Sequence, residues 1–371
     1  MKKTDGRFRH TGRRLSIFLY ATMLIFNLSL IFSNDTLADI TEELKECAAK
    51  KDKDEKLECY ENLAKRYEPV KAAAAAENLK GSKPDKISMM EKLWDLNKDT
   101  RKDAPMIQWY NPNYFLFAGY NTTPNRDTML DFDPRAKAQN TEAIFQLSGK
   151  VRLLPDAILD KLGDTLRDHL DLWAGYTQIS FWQLWNSPFS SPFRDTNYAP
   201  EGFFTYRTNY DLFGLNMLDL RIINAGFVHQ SNGRARPLSR SWNRLFAEFG
   251  FEKVFDREQK RGRNEFDLFV KSWYRIPENG QDDDNPDIEN YMGYGEIQGI
   301  YYWHRLRFGL MLRNNLRASN NKGALQFDFS IPIWSAPFSL YFQYFNGYGE
   351  SLLDYNSSSN RFSLGFMITN W

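Results

Sequence analysis

From about Trp109 onward, apolar and polar residues alternate in short segments separated by clusters of Asn, Asp, Gly and Pro. This alternation predicts β-strands with one apolar face, because successive side chains of a strand point to opposite faces. Turn-forming pairs such as Asn232-Gly233 and Asn320-Asn321 lie between the segments. The pattern predicts twelve strands, near 112–120 and at 143–153, 168–184, 200–211, 215–230, 240–254, 264–276, 291–302, 304–316, 322–331, 337–346 and 361–370.

Composition indicates what the apolar faces contact. Aromatic residues make up 16% of the 371 residues, yet the mean hydropathy is only −0.59. A membrane β-barrel combines both properties, because lipid-facing residues alternate with polar inward-facing ones. The last predicted strand places Phe362, Leu364 and Phe366 on one face, and the terminal aromatic Trp371 is typical of a closing barrel strand. We therefore predict an all-β fold, a twelve-stranded antiparallel transmembrane β-barrel; a soluble β-sandwich is the alternative.

The first 38 residues have the features of an export signal. Basic residues precede an apolar run at 15–32, and Thr36-Leu37-Ala38 offers a cleavage site. We therefore predict a secretory signal peptide at residues 1–38. The alternative is an uncleaved anchor helix, although the run is short for a membrane span and contains polar residues.

Two cysteines, Cys47 and Cys59, follow the predicted signal peptide. In an oxidising periplasm they should form a disulfide. The residues around them favour two short helices joined by a charged turn at 50–56. Residues 39–87 are therefore expected to form a disulfide-stapled helical hairpin and linker on the periplasmic side, before a barrel domain at 88–371.

The charges of the chain are balanced. Lysine and arginine number 48, aspartate and glutamate number 47, and the formal net charge is +1. This balance gives no reason to expect a nucleic-acid partner.

Three side chains suited to hydrolysis fall on the apolar face of two neighbouring strands. Around Asn243 the odd positions are apolar, so Asn243 shares a face with Leu245 and Phe249. On the preceding strand, His229 and Ser231 continue an apolar set of odd positions. All three residues are therefore predicted on the outward surface of the barrel.

These residue types can supply the roles of a serine-hydrolase triad. His229 can take the hydroxyl proton of Ser231 as the oxygen attacks an ester carbonyl, while Asn243 holds the other imidazole nitrogen. An amide adds no charge, which suits an apolar surface. The oxyanion needs donors, and the Gly233 amide is a candidate. A change of phase at Ile222-Ile223 predicts a β-bulge, a feature that re-aims side chains beside active sites.

Several motifs together closely resemble outer-membrane phospholipase A. The first pair is HQSNGR at 229–234 and SRSWNR at 239–244. The others lie within 183–198, 285–294 and 347–356. The combination is specific, and the resemblance covers roughly residues 88–371.

The resemblance implies a barrel in the outer membrane of a Gram-negative bacterium. It implies hydrolysis of acyl esters of phospholipids and lysophospholipids, of the A1/A2 type. It assigns His229 as base, Ser231 as nucleophile and Asn243 as the orienting residue. It also implies calcium as cofactor and a homodimer as the active form.

In the resembling family, calcium lies at the dimer interface near the oxyanion. The matching positions are the Ser239 hydroxyl, the Arg234 carbonyl and Ser190 of the partner subunit. Oxygen ligands of this kind suit a hard cation. Gln178 matches a glutamine that forms hydrogen bonds across the dimer, and its own setting agrees: it is an uncharged amide within an apolar set, where it needs a partner.

One position departs from the family pattern. Some members carry an aspartate where this chain has Arg236, and that aspartate contributes to a calcium site in the monomer. A cation at this position weakens the case for such a site here. The acidic stretch at 282–287 is another candidate for calcium, but its spacing fails the EF-hand pattern, so we expect a solvated loop.

Two other functions fit a barrel of this size. In a passive porin, His229 and Ser231 are ordinary rim residues and the inward charges line a channel. In an outer-membrane protease, the active site belongs in an extracellular cleft lined by carboxylates. Both are alternatives to a calcium-dependent phospholipase.

Overall fold

The computed structural model describes Cys47, Cys59 and residues 87–97, 101, 104–130, 138–154, 161, 163, 168–191, 193–211, 217–255, 263–333 and 337–368. The helices that lie wholly within these parts are α1 (Met89–Trp94), α2 (Asp127–Leu130) and α3 (Glu289–Met292), with a 3-10 turn at Ser187–Phe189. The strands are β1 (Ile107–Trp109), β2 (Tyr114–Asn121), β3 (Thr141–Arg152), β4 (Leu170–Trp182), β5 (Asp195–Asp211), β6 (Asp219–Ser231), β7 (Ser241–Val254), β8 (Asn264–Ile276), β9 (Gly295–Trp303), β10 (Leu306–Asn314), β11 (Gly323–Pro332), β12 (Ser339–Gly347) and β13 (Ser359–Met367).

The strands form a closed antiparallel barrel. Strands β4 to β13 follow one another in the sheet, β13 pairs with β2, and β3 pairs with both β2 and β4. The short β1 pairs with β3 further along the same edge as β2, so β1 and β2 together form one interrupted barrel strand. The predicted twelve-stranded antiparallel barrel is confirmed. The terminal Trp371, used in that prediction, lies outside the described residues.

Strand ends differ from the predicted ones where periodicity is weak. Strand β5 begins at Asp195, five residues before its predicted start, because its first residues are polar yet buried and do not alternate. The predicted strand at 291–302 begins at Gly295, after helix α3. The bulge predicted at Ile222-Ile223 lies one residue earlier, where the β6–β7 register shifts between Leu220 and Ile222.

The two faces of the barrel differ in chemistry. Large apolar side chains are exposed on the outward face of successive strands, including Leu147, Tyr176, Phe204, Phe227, Leu245, Phe249, Tyr274, Ile297, Leu310, Phe327, Leu340 and Phe362. The alternate positions are buried, and many of them are charged or polar. This arrangement explains how an aromatic-rich chain has a low mean hydropathy.

Helix α1 packs into the barrel domain through its apolar side. Ser88 caps the helix by accepting a hydrogen bond from the Glu91 amide at 3.1 Å. Met90 and Trp94 join the main apolar cluster, which also contains aromatic side chains of β4, β5, β7 and β8. Lys150 donates to the Leu93 carbonyl at 2.7 Å and lies 3.6 Å from the centre of the Trp94 ring. A helix and aromatic side chains packed in this way disfavour an open diffusion channel.

A buried carboxylate, Glu142, links three parts of the barrel wall. Glu142 on β3 is only 2% exposed and accepts hydrogen bonds from Arg194 at 2.7 and 3.0 Å and from Arg361 at 3.0 Å. Arg361 also pairs with Glu350 at 2.8 Å, and Arg194 pairs with Asp354. Since Arg194 follows the β4–β5 loop, this network holds that loop against β3 and β13.

Replacing Glu142 with alanine should lower the free energy of unfolding by about 3–5 kcal/mol, because two buried guanidinium groups lose their shared partner. Glu142→Gln keeps an acceptor and should cost less. Equilibrium urea unfolding in lipid vesicles measures both variants. A loss within about 1 kcal/mol for the alanine variant would contradict the central role of Glu142.

Cys47 and Cys59 form a disulfide, with their Cα atoms 5.6 Å apart. The rest of the predicted hairpin at 39–87, apart from residue 87, lies outside the described residues, as does the predicted signal peptide at 1–38. None of the helices in the described ranges has the length and apolar character needed to cross a membrane.

Candidate active site

The register of β6 and β7 brings two of the candidate residues side by side. His229 lies directly opposite Asn243, and Ser231 lies opposite Ser241. His229 Nδ1 and Asn243 Oδ1 are 2.9 Å apart. Because an amide oxygen only accepts, Nδ1 must carry the hydrogen, which leaves Nε2 as the basic nitrogen.

The side chains next to this pair show which face it occupies. Phe227 and Leu245, two residues from His229 and Asn243, are 40% and 51% exposed. The intervening residues turn inward, where Gln230 accepts hydrogen bonds from Trp242 at 2.9 Å and Arg244 at 2.8 Å. His229, Ser231 and Asn243 are half-buried. The structure therefore places all three on the outward, apolar face, as the alternation predicts.

Ser231 is the last residue of β6 and lies at the rim of the wall. The loop that follows is held by Asn232, which is 4% exposed. Its side chain donates to the Leu238 carbonyl at 2.9 Å and accepts from the Arg240 amide at 3.0 Å. This loop leads directly from Ser231 to β7. Its conformation therefore determines which backbone groups lie near the serine hydroxyl.

Gly233 is an exposed residue of this loop in a left-handed conformation, with φ of 63°. A Cβ atom there would lie 3.2 Å from the ring of Tyr198. Both the backbone angle and the close ring favour glycine. The amide predicted to serve the oxyanion thus belongs to a residue two positions from Ser231 whose conformation is restricted.

The residues predicted as calcium ligands lie in two loops that contact each other. Arg234 donates through Nη2 to the carbonyls of Phe193 at 2.7 Å and Arg194 at 3.0 Å. Ser190, in the same loop as Phe193, accepts from Trp182 Nε1 through its carbonyl at 2.7 Å. The guanidinium of Arg234 therefore joins the loop after β6 to the loop before β5.

Ser239 and Arg236 both contact a carboxylate from a third loop. Arg236 Nε lies 2.6 Å from Asp284, and the Ser239 hydroxyl donates to the same carboxylate. Burial alone would raise the pKa of Asp284, but the Ser239 hydrogen bond and the Arg236 cation outweigh it and lower that pKa. The carboxylate therefore remains charged at neutral pH and holds Ser239 in place.

The prediction of a solvated loop at 282–287 holds for the exposed Asp282 and Pro286 and is wrong for Asn285. Asp283 forms an ion pair with Arg275 at 2.7 Å. Asn285 is fully buried and accepts from the Ser241 amide at 2.9 Å. Only charge and spacing were available from the sequence, and neither reveals that this loop folds against β7.

Glu278 contacts the candidate site, although the sequence analysis did not point to it. Asn243 donates through Nδ2 to Glu278 Oε1 at 3.0 Å. Glu278 follows β8, whose last residue Ile276 lies directly opposite Asn243. This contact orients the Asn243 amide, because a carboxylate accepts hydrogen bonds and therefore faces the nitrogen end.

Gln178 lies on the outward face of β4, in a row of side chains that includes the serine. It lies opposite Tyr198 on β5, and Tyr198 lies opposite Ser231 on β6. Its amide accepts from Tyr176 at 3.0 Å and donates to Ser180 at 3.1 Å. Two strand spacings separate Gln178 from Ser231, which corresponds to about 10 Å.

The chemistry of the donors fits calcium, although no carboxylate cluster marks a site. Within the described residues there is no group of three or more His, Cys, Asp or Glu side chains that could hold a metal. A hydroxyl and a backbone carbonyl are neutral oxygen ligands, and calcium accepts these together with water. Ser239 fits this role, because donating its proton to Asp284 leaves its oxygen lone pairs for a cation.

Comparison with known proteins identifies relatives across the barrel. A putative phospholipase A1 of Neisseria meningitidis is 34% identical over 299 residues, which are 78% of this chain and 72% of that protein. The outer membrane phospholipase A of Escherichia coli superposes with a TM-score of 0.61 at 34% identity, covering 72% of this chain and 99% of that one. The E. coli enzyme has also been solved as an active-site mutant in which an asparagine is replaced by alanine.

A third relative has been solved as a dimer with bound calcium. This is the outer membrane phospholipase of Salmonella typhi, with a TM-score of 0.61 and 32% identity over 72% of this chain and 94% of that one. The sequence profile of the phospholipase A1 family matches residues 90–368. The chain therefore belongs to the phospholipase A1 family and is an ester hydrolase built on the barrel of outer membrane phospholipase A.

Proposed function

We propose that this chain is a calcium-dependent outer-membrane phospholipase of the A1/A2 and lysophospholipase type, active as a homodimer. Ser231 is the nucleophile, His229 the base and Asn243 the residue that orients the base. The observation that carries the proposal is the 2.9 Å contact between His229 Nδ1 and Asn243 Oδ1 on the outward face, with Ser231 two residues further along the same face.

The bond to Asn243 sets the direction of proton transfer. It places the hydrogen on Nδ1 of His229, so Nε2 can accept the hydroxyl proton of Ser231 as Oγ attacks the acyl carbonyl carbon. The imidazolium then gives that proton to the glycerol oxygen as the carbon–oxygen bond breaks. Water, deprotonated by the same imidazole, hydrolyses the acyl-enzyme and releases the fatty acid. The Gly233 amide is the proposed donor to the oxyanion of each tetrahedral intermediate.

The position of Ser231 suits a substrate that comes from the membrane. Phospholipid ester bonds lie between the hydrocarbon core and the headgroups. Ser231 ends β6 and Ser241 begins β7, so the nucleophile lies where strands meet loops. The exposed Phe227 and Leu245 continue the apolar surface along the acyl chains. A short, water-soluble ester has no long acyl chain to contact this surface.

Calcium is proposed at the Ser239 hydroxyl and the Arg234 carbonyl, completed by Ser190 of the partner subunit and by water. The calcium-bound dimer of the Salmonella relative supports this choice of cation and of assembly. Bound there, calcium would stabilise negative charge that develops on the ester carbonyl oxygen. The contribution of this chain is to hold the two ligands, through the Arg234 contact with the β4–β5 loop and the Asp284 contact with Ser239.

Ester specificity tests the proposal directly. The refolded protein in phospholipid–detergent micelles with calcium should release fatty acid from diacyl phospholipids and lysophospholipids, but not from ether-linked analogues, which lack the carbonyl. A sulfonyl fluoride should inactivate it and should label Ser231, as peptide mass spectrometry would show. An inert protein, shown to be folded and dimeric, would favour the passive barrel instead.

Gln178→Ala should weaken the dimer about 3- to 20-fold, the range expected for one hydrogen bond between membrane segments. Sedimentation equilibrium in detergent measures the association constant. Leu312→Ala is a matched control, because Leu312 is an exposed apolar residue on the distant strand β10. Equal effects of the two changes would show that Gln178 has no special part in association.

A further inference from the structure

The proposed triad continues into a fourth side chain. Asn243 has two polar ends: Oδ1 faces His229 at 2.9 Å, and Nδ2 faces Glu278 Oε1 at 3.0 Å. Glu278 is half-buried and precedes a turn in which the Asn279 carbonyl accepts from the amides of Asp282 and Asp283. Asp283 is in turn fixed by its ion pair with Arg275. The carboxylate therefore belongs to a turn that is tied to the barrel wall.

The contact with Glu278 removes an ambiguity that an orienting asparagine would otherwise have. The two ends of an amide are nearly equal in shape, but one only accepts and the other only donates. A flipped Asn243 would present its NH2 group to His229 Nδ1, which would then have to accept. The imidazole hydrogen would move to Nε2, and His229 could not act as a base towards Ser231. An aspartate would not need such a partner, because both of its oxygens accept.

The same contact supplies a negative charge to the site. When His229 takes the proton of Ser231 it becomes an imidazolium, and Asn243 itself has no charge to stabilise that cation. The carboxylate of Glu278 lies one hydrogen bond beyond, next to an apolar surface where charges interact more strongly than in water. An orienting amide and a carboxylate behind it together supply what an aspartate supplies alone.

We propose that Glu278 is a positioning residue of the esterase site, which makes the functional unit Ser231–His229–Asn243–Glu278. This inference rests on the proposed function. Glu278 acts through Asn243, so its removal should reduce the chemical step and leave substrate binding unchanged.

The single variants are measured in the full-length protein on micellar phospholipid. Glu278→Ala should lower kcat about 10-fold or more with little change in KM, the effect of losing a partner that orients an active-site residue. Glu278→Gln should retain more activity, because its amide oxygen can still accept from Asn243. Asp282→Ala, an exposed carboxylate of the same loop, is the matched control and should keep the wild-type rate.

The decisive test asks whether Glu278→Gln, which lowers activity in the native background, raises it in the Asn243→Asp background. Asn243→Asp in the native background places two carboxylates together and should be severely impaired. Glu278→Gln, harmful by itself, should restore at least part of the activity of Asn243→Asp, because the glutamine NH2 group can donate to the new carboxylate. A structural role alone predicts that the two losses add.

The outcomes are distinguishable. Rescue in the double variant, together with a fall in kcat for Glu278→Ala, supports the four-residue unit. Wild-type kcat for Glu278→Ala, or additive losses in the double variant, would overturn it if Ser231→Ala is inactive in the same assay. Equal rates for the wild type and Ser231→Ala would instead overturn the proposed function itself.

Discussion

Ser231→Ala is expected to lower the rate of fatty-acid release by at least about 10⁴-fold, because it removes the atom that forms the acyl-enzyme. His229 and Asn243 remain in place in this variant, but the base has no nucleophile to activate. Ser231 is a half-buried residue at the end of β6, and alanine fits the same strand geometry. The barrel should therefore fold and dimerise normally.

Ser241→Ala is the matched control for this change. Ser241 lies directly opposite Ser231 on β7 and on the same face, but it is two residues from Asn243 and has no role in the proposed chemistry. It should keep nearly the wild-type rate. Circular dichroism and resistance to unfolding in detergent would establish that both variants are folded. A Ser231→Ala rate within an order of magnitude of the wild type would exclude Ser231 as the nucleophile.

The barrel could be predicted from the sequence wherever strands alternate cleanly. Strands β7 and β8 begin and end close to the predicted residues, because one face is apolar and the other polar along their length. The first residues of β5 are buried polar groups such as Asp195 and Thr196, so no alternation marks them. The break between β1 and β2 was not predicted either. Both pieces pair with the same edge of β3 and together take the place of one strand.

The candidate site was predictable only to the extent that strand phase determines it. Phase alone places His229, Ser231 and Asn243 on one face, and antiparallel pairing then brings two of them together. Glu278 and Asp284 reach the site from one loop, 35 and 45 residues from their partners in sequence. Loop paths have no periodic signal, so these contacts emerged only with the structure.

Arg236 shows how one cation affects the groups around the proposed ligand Ser239. Its guanidinium pairs with Asp284, which also receives the Ser239 hydroxyl proton. The cation therefore forms an ion pair with the charged carboxylate that also contacts the proposed ligand Ser239. In the proposed site, one subunit therefore offers the Ser239 hydroxyl and the Arg234 carbonyl, and the proposal assigns the rest of the shell to the partner subunit and to water.

Removing calcium with an excess of chelator should lower the rate of fatty-acid release by about 10²–10³-fold or more, the effect of losing a principal source of stabilisation for the oxyanion. Activity should return when calcium is restored. Magnesium should restore little, because it requires a smaller and more regular shell than hydroxyl and carbonyl ligands on two subunits provide. Unchanged activity in excess chelator would exclude calcium from the mechanism.

The same titration identifies the ligands. Ser239→Ala removes a proposed ligand and should shift the calcium concentration required for half-maximal activity upward by at least about 10-fold. Asp284→Asn should shift it in the same direction by less, because the hydroxyl is retained but its carboxylate partner is lost. Ser241→Ala should leave the calcium requirement unchanged, since Ser241 is not one of the proposed ligands. If Ser239→Ala lowered the maximal rate without altering the calcium requirement, Ser239 would act on the chemistry and calcium would bind elsewhere.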